Sequence, residues 1–161
     1  MRGGAADSQV ALSSVMDVAG GAIHVVSSDA YAGIERHVLR LCVELRALGC
    51  PPLIVCPQTA LQLREEAFDA GVPTAPSRGA RGPWAPHALR VIRREEPRVV
   101  HVHDGRSAAL LAAASVRSRP ILVRTQHFVA TASSERTGWR RRASLRAHRI
   151  VNRRFRGYIA V

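Results

Sequence analysis

The sequence predicts an α/β fold, a doubly wound parallel sheet of the Rossmann-like kind. Three observations carry that prediction. Short β-branched runs recur at Ile23-His24-Val25-Val26, Leu53–Cys56, Val99–His103, Ile121–Val123 and Tyr158–Val161. Segments with helical spacing or rich in alanine lie between them, and glycine, proline or polar residues mark the junctions. Strands alternating with helices are the pattern of parallel strands joined by right-handed crossovers.

Each element follows from local chemistry. Ile23–Val26 is the first strand, and Ser27–Gly33 is the loop after it. Ile34, Val38, Leu41, Leu45 and Leu48 then fall at helical spacing on one stripe. Gly49 stands where a C′ glycine ends a helix, and Pro51-Pro52 bars continuation. Leu53–Cys56 is the second strand, and Leu61–Ala70 is a helix stopped by Gly71. Val72-Pro73-Thr74 reads as a short edge strand, where proline is tolerated. Ser77–Pro86, with Gly79, Gly82 and Pro83, reads as a loop, and a third helix runs from His87 to Glu96 before Pro97. Val99–His103 is a buried strand followed by a helix from Ser107 to Val116. Ile121–Val123 is the next strand and leads into Arg124-Thr125-Gln126-His127-Phe128. A polar loop, a basic helix from Gly138 to Phe155 and a strand at Tyr158–Val161 complete the order.

The chain has 161 residues, enough for one domain with a core, and 47% are hydrophobic, which excludes a disordered composition. Ala108–Ala114, the longest apolar run of the second half, is far short of the roughly 20 residues of a membrane span. Residues 1–22 are small and polar with no apolar signal region, so they read as a disordered leader to a domain over 23–161. Cys42, Cys50 and Cys56 lack metal or redox spacing and point to reduced thiols and a cytoplasmic setting. The charge is uneven. Residues 105–161 hold thirteen arginines against one acid, Glu135, and so carry the entire +12, which implies an anionic partner.

The most informative segment is Val99–Ser107, because ligands of open α/β sheets sit beyond the carboxyl ends of the strands. His101 and His103 alternate onto one side of a strand, and with Asp104 they suggest a metal. A catalytic zinc usually takes three protein ligands; Asp104 or His127 could supply the third, but nothing in the spacing requires either, so no metal is expected. The quieter reading packs His101 under a helix and leaves His103 and Asp104 at the cleft. His127 follows the next strand, where a neutral imidazole can accept a proton from a hydroxyl. The first loop offers Gly33 alone, without the G-x-G-x-x-G fingerprint, which argues against a nicotinamide or flavin enzyme. In the basic helix, Trp139, Ala143, Ala147, Ile150, Val151 and Phe155 share one half. Arg141, Arg142, Arg146, Arg149, Arg153 and Arg156 share the other. That face is either a solvated surface or a contact for anionic lipid. Nucleic acid is disfavoured, because no aromatic residues interleave the arginines.

Four stretches together resemble the N-terminal half of a glycosyltransferase family 4 enzyme of the GT-B fold. They are Gly33-Ile34-Glu35-Arg36-His37-Val38-Leu39-Arg40-Leu41, Pro97–His103, Thr125-Gln126-His127 and Tyr158–Val161. The resemblance implies retaining transfer of a sugar from a nucleotide sugar, the donor substrate, to an acceptor, with no metal and no further cofactor. It implies that His127 faces the reacting sugar and that Gly33 lets the loop approach the donor phosphates. Glu35, Arg36, His103, Asp104 and Arg106 would line the acceptor side. Arg142, Arg146, Arg149 and Arg153 would form a surface for an anionic membrane, peripheral on its inner face. Ala32 departs from the family by replacing the first of two loop glycines. A C-terminal donor-binding domain is also missing from the pattern, so this chain alone is expected to be inactive without it or a partner chain. The alternatives are a non-catalytic basic module that binds an anionic membrane or nucleic acid, and a truncated product without activity.

Overall fold

The computed structural model describes residues 21–77, 84–113, 120–126, 146, 149–150 and 152–160. Six parallel strands form one sheet: β1 (Ala22–Val25), β2 (Pro52–Pro57), β3 (Thr74–Ser77), β4 (Val99–Val102), β5 (Ile121–Gln126) and β6 (Gly157–Ala160). Their order is β3-β2-β1-β4-β5-β6, so the direction of winding reverses between β1 and β4. Helices α1 (Gly33–Ala47), α2 (Leu61–Asp69), α3 (Trp84–Glu95) and α4 (Gly105–Ala113) connect successive strands. The sequence-derived fold class is therefore the observed one.

Strand alternation divides the core in two. Ile23 and Val25 of β1, Val55 of β2, and Val100 and Val102 of β4 pack against Ala88, Val91 and Ile92 of α3 and Ala108 and Leu111 of α4. Ile54 and Cys56 turn to the other face and pack with Val38, Leu39 and Cys42 of α1 and Leu63 and Ala67 of α2. Both faces being covered explains why the strands read as near-continuous apolar runs. The exceptions lie in β1 and β4. There the residues facing away from the α3–α4 layer are His24 and His101, paired side by side in the register.

Both glycine stops act as expected. Gly49 has φ 77° and Gly71 has φ 66°. Cys50 N–H donates to Leu45 carbonyl and Gly49 N–H to Arg46 carbonyl, and Val72 and Gly71 repeat the pattern on Ala67 and Phe68. These are Schellman ends, in which a left-handed residue lets two amides reach back to the last carbonyls. Arg46 ties the two helices together by donating from Nη1 to Ala70 and Gly71 carbonyls at 2.8 and 2.7 Å.

Several boundaries differ from the sequence reading. The third strand is Thr74–Ser77, not Val72–Thr74. Val72 is buried in the α1–α2 core as the apolar residue of the Schellman end, and Pro76 sits in a strand paired only with β2. Helix α3 starts at Trp84 rather than His87, because Pro86 falls in the first turn, where its missing N–H removes no helical bond. Helix α4 starts at Gly105 rather than Ser107, since Asp104 caps it. Strand β5 runs on to Gln126 because β6 pairs with Val123 through Gln126. Of the basic helix, Arg146, Arg149, Ile150 and Asn152 are helical, and Phe155 lies beyond the helix in the α3–α4 core. Ile150 is 66% exposed, so it does not share the buried side with Phe155. Among the described residues no helix is long and apolar enough to cross a membrane.

Candidate functional site

The carboxyl ends of β1 and β4 meet where the winding reverses, which is where a doubly wound sheet opens a crevice. Three segments border that point: the loop from Ser27 to Ala32, the turn His103-Asp104 and the start of α4.

Asp104 fastens them together. Its carboxylate accepts from Ser107 N–H at 2.8 Å, from Ser107 Oγ–H at 2.5 Å and from Ser27 N–H at 3.0 Å. The first contact is an N-cap on the third helical amide, and the last ties the β1 loop to the α4 turn. Asp104 is thus half-buried and committed to backbone and hydroxyl partners of its own chain.

Two residues expected to line an open cleft lie inside instead. Glu35 is 2% exposed, and its Oε2 accepts from Ala32 N–H at 2.9 Å. This is the reaching-back half of a capping box, and Ala32 has no hydroxyl to complete the other half. His103 is 1% exposed, because its N–H pairs with Val25 carbonyl and draws the residue down beside β1. Its Nε2 lies 3.2 Å from His24 Nδ1, and its ring stands 4.1 Å from that of His101 and 6.2 Å from that of His37. His101, also buried, meets Thr125 Oγ through Nε2 at 2.7 Å. Burial, reinforced by His101 and His37, pushes the His24 imidazole down to about 3. That ring stays neutral through the physiological range.

At the surface of the edge stand Gly33 and Arg36, both exposed. A Cβ built on Gly33 meets nothing within 4 Å, so the protein's own packing does not require a glycine there. The Arg36 guanidinium lies 5.5 Å from the centre of the Tyr31 ring, a cation–π distance. Arg106 lies in the first turn of α4, and its side chain is outside the described residues. His127 and Arg142 are outside them as well, while Arg146, Arg149 and Arg153 are exposed.

The sequence reading missed three participants. His24 looked like an ordinary strand residue, because periodicity does not say that β1 pairs with β4. Thr125 stood in the stretch after Val123 with no role of its own. Arg124 is 8% exposed with Nη1 donating to Asn152 Oδ1 at 3.0 Å, a buried guanidinium whose neutral partner no spacing rule foretells.

Comparison with known proteins agrees with this architecture. A glycosyltransferase from Rickettsia africae ESF-5 is 17% identical over 71% of this chain and 31% of its own, with a TM-score of 0.52. Anabaena Alr3699/HepE in complex with UDP is 16% identical over 87% of this chain and 37% of its own, with a TM-score of 0.64. The same Anabaena protein in complex with UDP-glucose gives 14% identity, 88% and 37% coverage and a TM-score of 0.65. At these identities the likeness is one of fold, that of the N-terminal half of a GT-B enzyme, and the chain spans about a third of the length of each neighbour. No curated protein matches the sequence. The sequence profile of Glycosyltransferase Family 4 matches residues 31–161, which takes in the Gly33 loop, β4, β5 and β6, and the chain accordingly belongs to that family.

Proposed function

We propose that this chain supplies the acceptor-side domain of a retaining glycosyltransferase, one that moves a sugar from a nucleotide sugar to an acceptor. The family match over residues 31–161, laid on a sheet that reverses between β1 and β4, is the observation that carries this reading. The Anabaena neighbour, with a similar fold, was solved with UDP-glucose, which supports a nucleotide sugar as the donor. The donor itself brings the leaving group, so the transfer asks for no other cofactor.

In this reading His127, immediately after β5, faces the reacting sugar and hydrogen-bonds its hydroxyls. Gly33 leaves room for the donor phosphates, with the open space around its Cβ position as support. Arg36 and Arg106 lie along the acceptor wall. Asp104, Glu35 and His103 act from beneath by holding the loops, since their polar atoms are engaged within the domain. The opposite wall comes from a C-terminal domain or a partner chain.

The test is transfer from a panel of nucleotide sugars to candidate acceptors, with the chain alone and with a family C-terminal half added. Product is expected only in the second arm, and His127→Ala should remove it. Robust product from the chain alone overturns the division of labour, and an unchanged rate in the His127 variant overturns its role.

The exposure of Arg146, Arg149 and Arg153 favours a second reading beside the first, in which this face docks on an anionic membrane. The enzyme would then be cytoplasmic and peripheral on the inner face. Co-sedimentation with anionic vesicles should be lost when Arg142, Arg146, Arg149 and Arg153 become glutamine. Unchanged sedimentation removes the arginine face from the account.

A further inference from the structure

We propose that His24, His101 and His103 form a binding site for one borderline transition-metal ion, zinc foremost, buried across the β1–β4 seam. Each imidazole offers a ring nitrogen, and the three nitrogens lie within 4.8 Å of one another. All three side chains are buried, at 1%, 5% and 1% exposure. The ligand that the H-x-H spacing of β4 lacked comes from the neighbouring strand, because the register sets His24 against His101.

The dimensions agree with a metal. Zinc binds imidazole nitrogen at about 2.0–2.1 Å, so two ligands of a tetrahedral site stand about 3.3 Å apart. His24 Nδ1 and His103 Nε2 are already 3.2 Å apart. The remaining nitrogen lies within 4.8 Å of the other two, so it closes the site by moving no more than about 1.5 Å, which a side-chain rotation supplies. In the loaded site His101 donates from Nε2–H to Thr125 Oγ, 2.7 Å away, and turns its Nδ1 lone pair toward the ion. Outer hydrogen bonds of this kind fix the tautomer of ligating histidines. Imidazole ligates a metal in its neutral form, so the proton between His24 and His103 moves to the far nitrogen of its own ring. A fourth position, taken by water, completes the tetrahedron.

Such an ion would sit on the α1 side of the sheet, where the His37 ring lies 6.2 Å from that of His103, and clamp β1 to β4, apart from the transfer chemistry. The inference is therefore independent of the proposed activity.

The experiment uses the full chain, stripped with chelator and titrated with zinc alone and with cobalt alone. One ion per chain is expected, together with a rise in melting temperature. X-ray absorption of the loaded protein should show three imidazole nitrogens at about 2.0 Å. A His24→Asn/His103→Asn variant should lose at least 100-fold in affinity. Because that variant can fail to fold, ligand counting on the unaltered chain decides by itself. Sulfur in the coordination shell, fewer than three imidazoles, no binding, or unchanged affinity in a folded variant overturns the site.

Discussion

Asp104→Ala tests whether one carboxylate holds the crevice together. The substitution removes three bonds at once: the cap on Ser107 N–H, the Ser107 hydroxyl contact and the tie to Ser27 N–H. Loss of an aspartate cap costs about 0.5–2 kcal/mol. Ser107 is 0% exposed, so its hydroxyl is left buried without this acceptor, a cost of about 1–3 kcal/mol. These contributions share one side chain and do not simply add, which gives about 2–4 kcal/mol in all. For a chain of this size that lowers the melting temperature by about 5–15 °C. Asp104→Asn keeps an oxygen for the cap and should lose about half as much. Urea unfolding of the three proteins measures the order, and amide exchange at Ser27 and Ser107 should quicken selectively in the alanine variant. An alanine variant within about 0.5 kcal/mol of the parent, or an asparagine variant equal to alanine, would refute the three-bond account.

The remaining predictions concern packing, thiols and the loop. Leu63 is fully buried, and Leu63→Ala should cost about 2–5 kcal/mol, whereas Phe68, 82% exposed, should tolerate alanine within about 0.5 kcal/mol; equal losses in urea would contradict the assigned core. Burial pushes the Cys42 thiol up to about 12 and the Cys56 thiol up to about 11, the latter despite Arg64 nearby. At pH 8 a disulfide reagent should therefore label half-exposed Cys50 first and reach the other two only as the domain opens; labelling of Cys42 at the rate of Cys50 would contradict its burial. Gly33→Ala should leave stability within about 0.5 kcal/mol, because a Cβ there meets open space, yet weaken donor binding in the complete enzyme; a loss of stability with unchanged binding would reverse the assignment.

The fold was legible because its signals are local and redundant. Both glycine stops and the β-branched strands follow from short-range chemistry, and the structure keeps them. The α1 stripe is kept only in part: Val38 is buried, but it shares the core with Leu39 and Cys42, while Leu48 is 50% exposed. What was not legible depends on neighbours in space. Nothing within Ile23–Val26 announces that His24 lies beside His101, because periodicity assigns a face but not a partner strand. Glu35 and His103 bear side chains that suit a cleft, yet the Ala32 amide claims the Glu35 carboxylate, and the Val25 carbonyl takes the His103 backbone amide while the His103 ring meets His24. The same competition lengthened β5, since pairing with β6 holds Arg124, Thr125 and Gln126 in a strand that their polarity did not advertise.

The seam between β1 and β4 also bears on how the chain assembles. Partners within each half are near in sequence: residue 22 pairs with 52, 54 with 74, 99 with 121 and 123 with 157. Across the seam residue 22 pairs with 99, a separation of 77 positions. Closing that loop costs about 0.8 kcal/mol more than the 30-residue closure from β1 to β2. The two three-stranded halves are thus locally encoded, and their sheet is joined by a single distant strand pairing, the kind that slows folding, backed by the shared α3–α4 core and the Asp104 tie to Ser27. Side chains along His24 and His101 accordingly influence when two halves become one domain, as well as what its edge can hold.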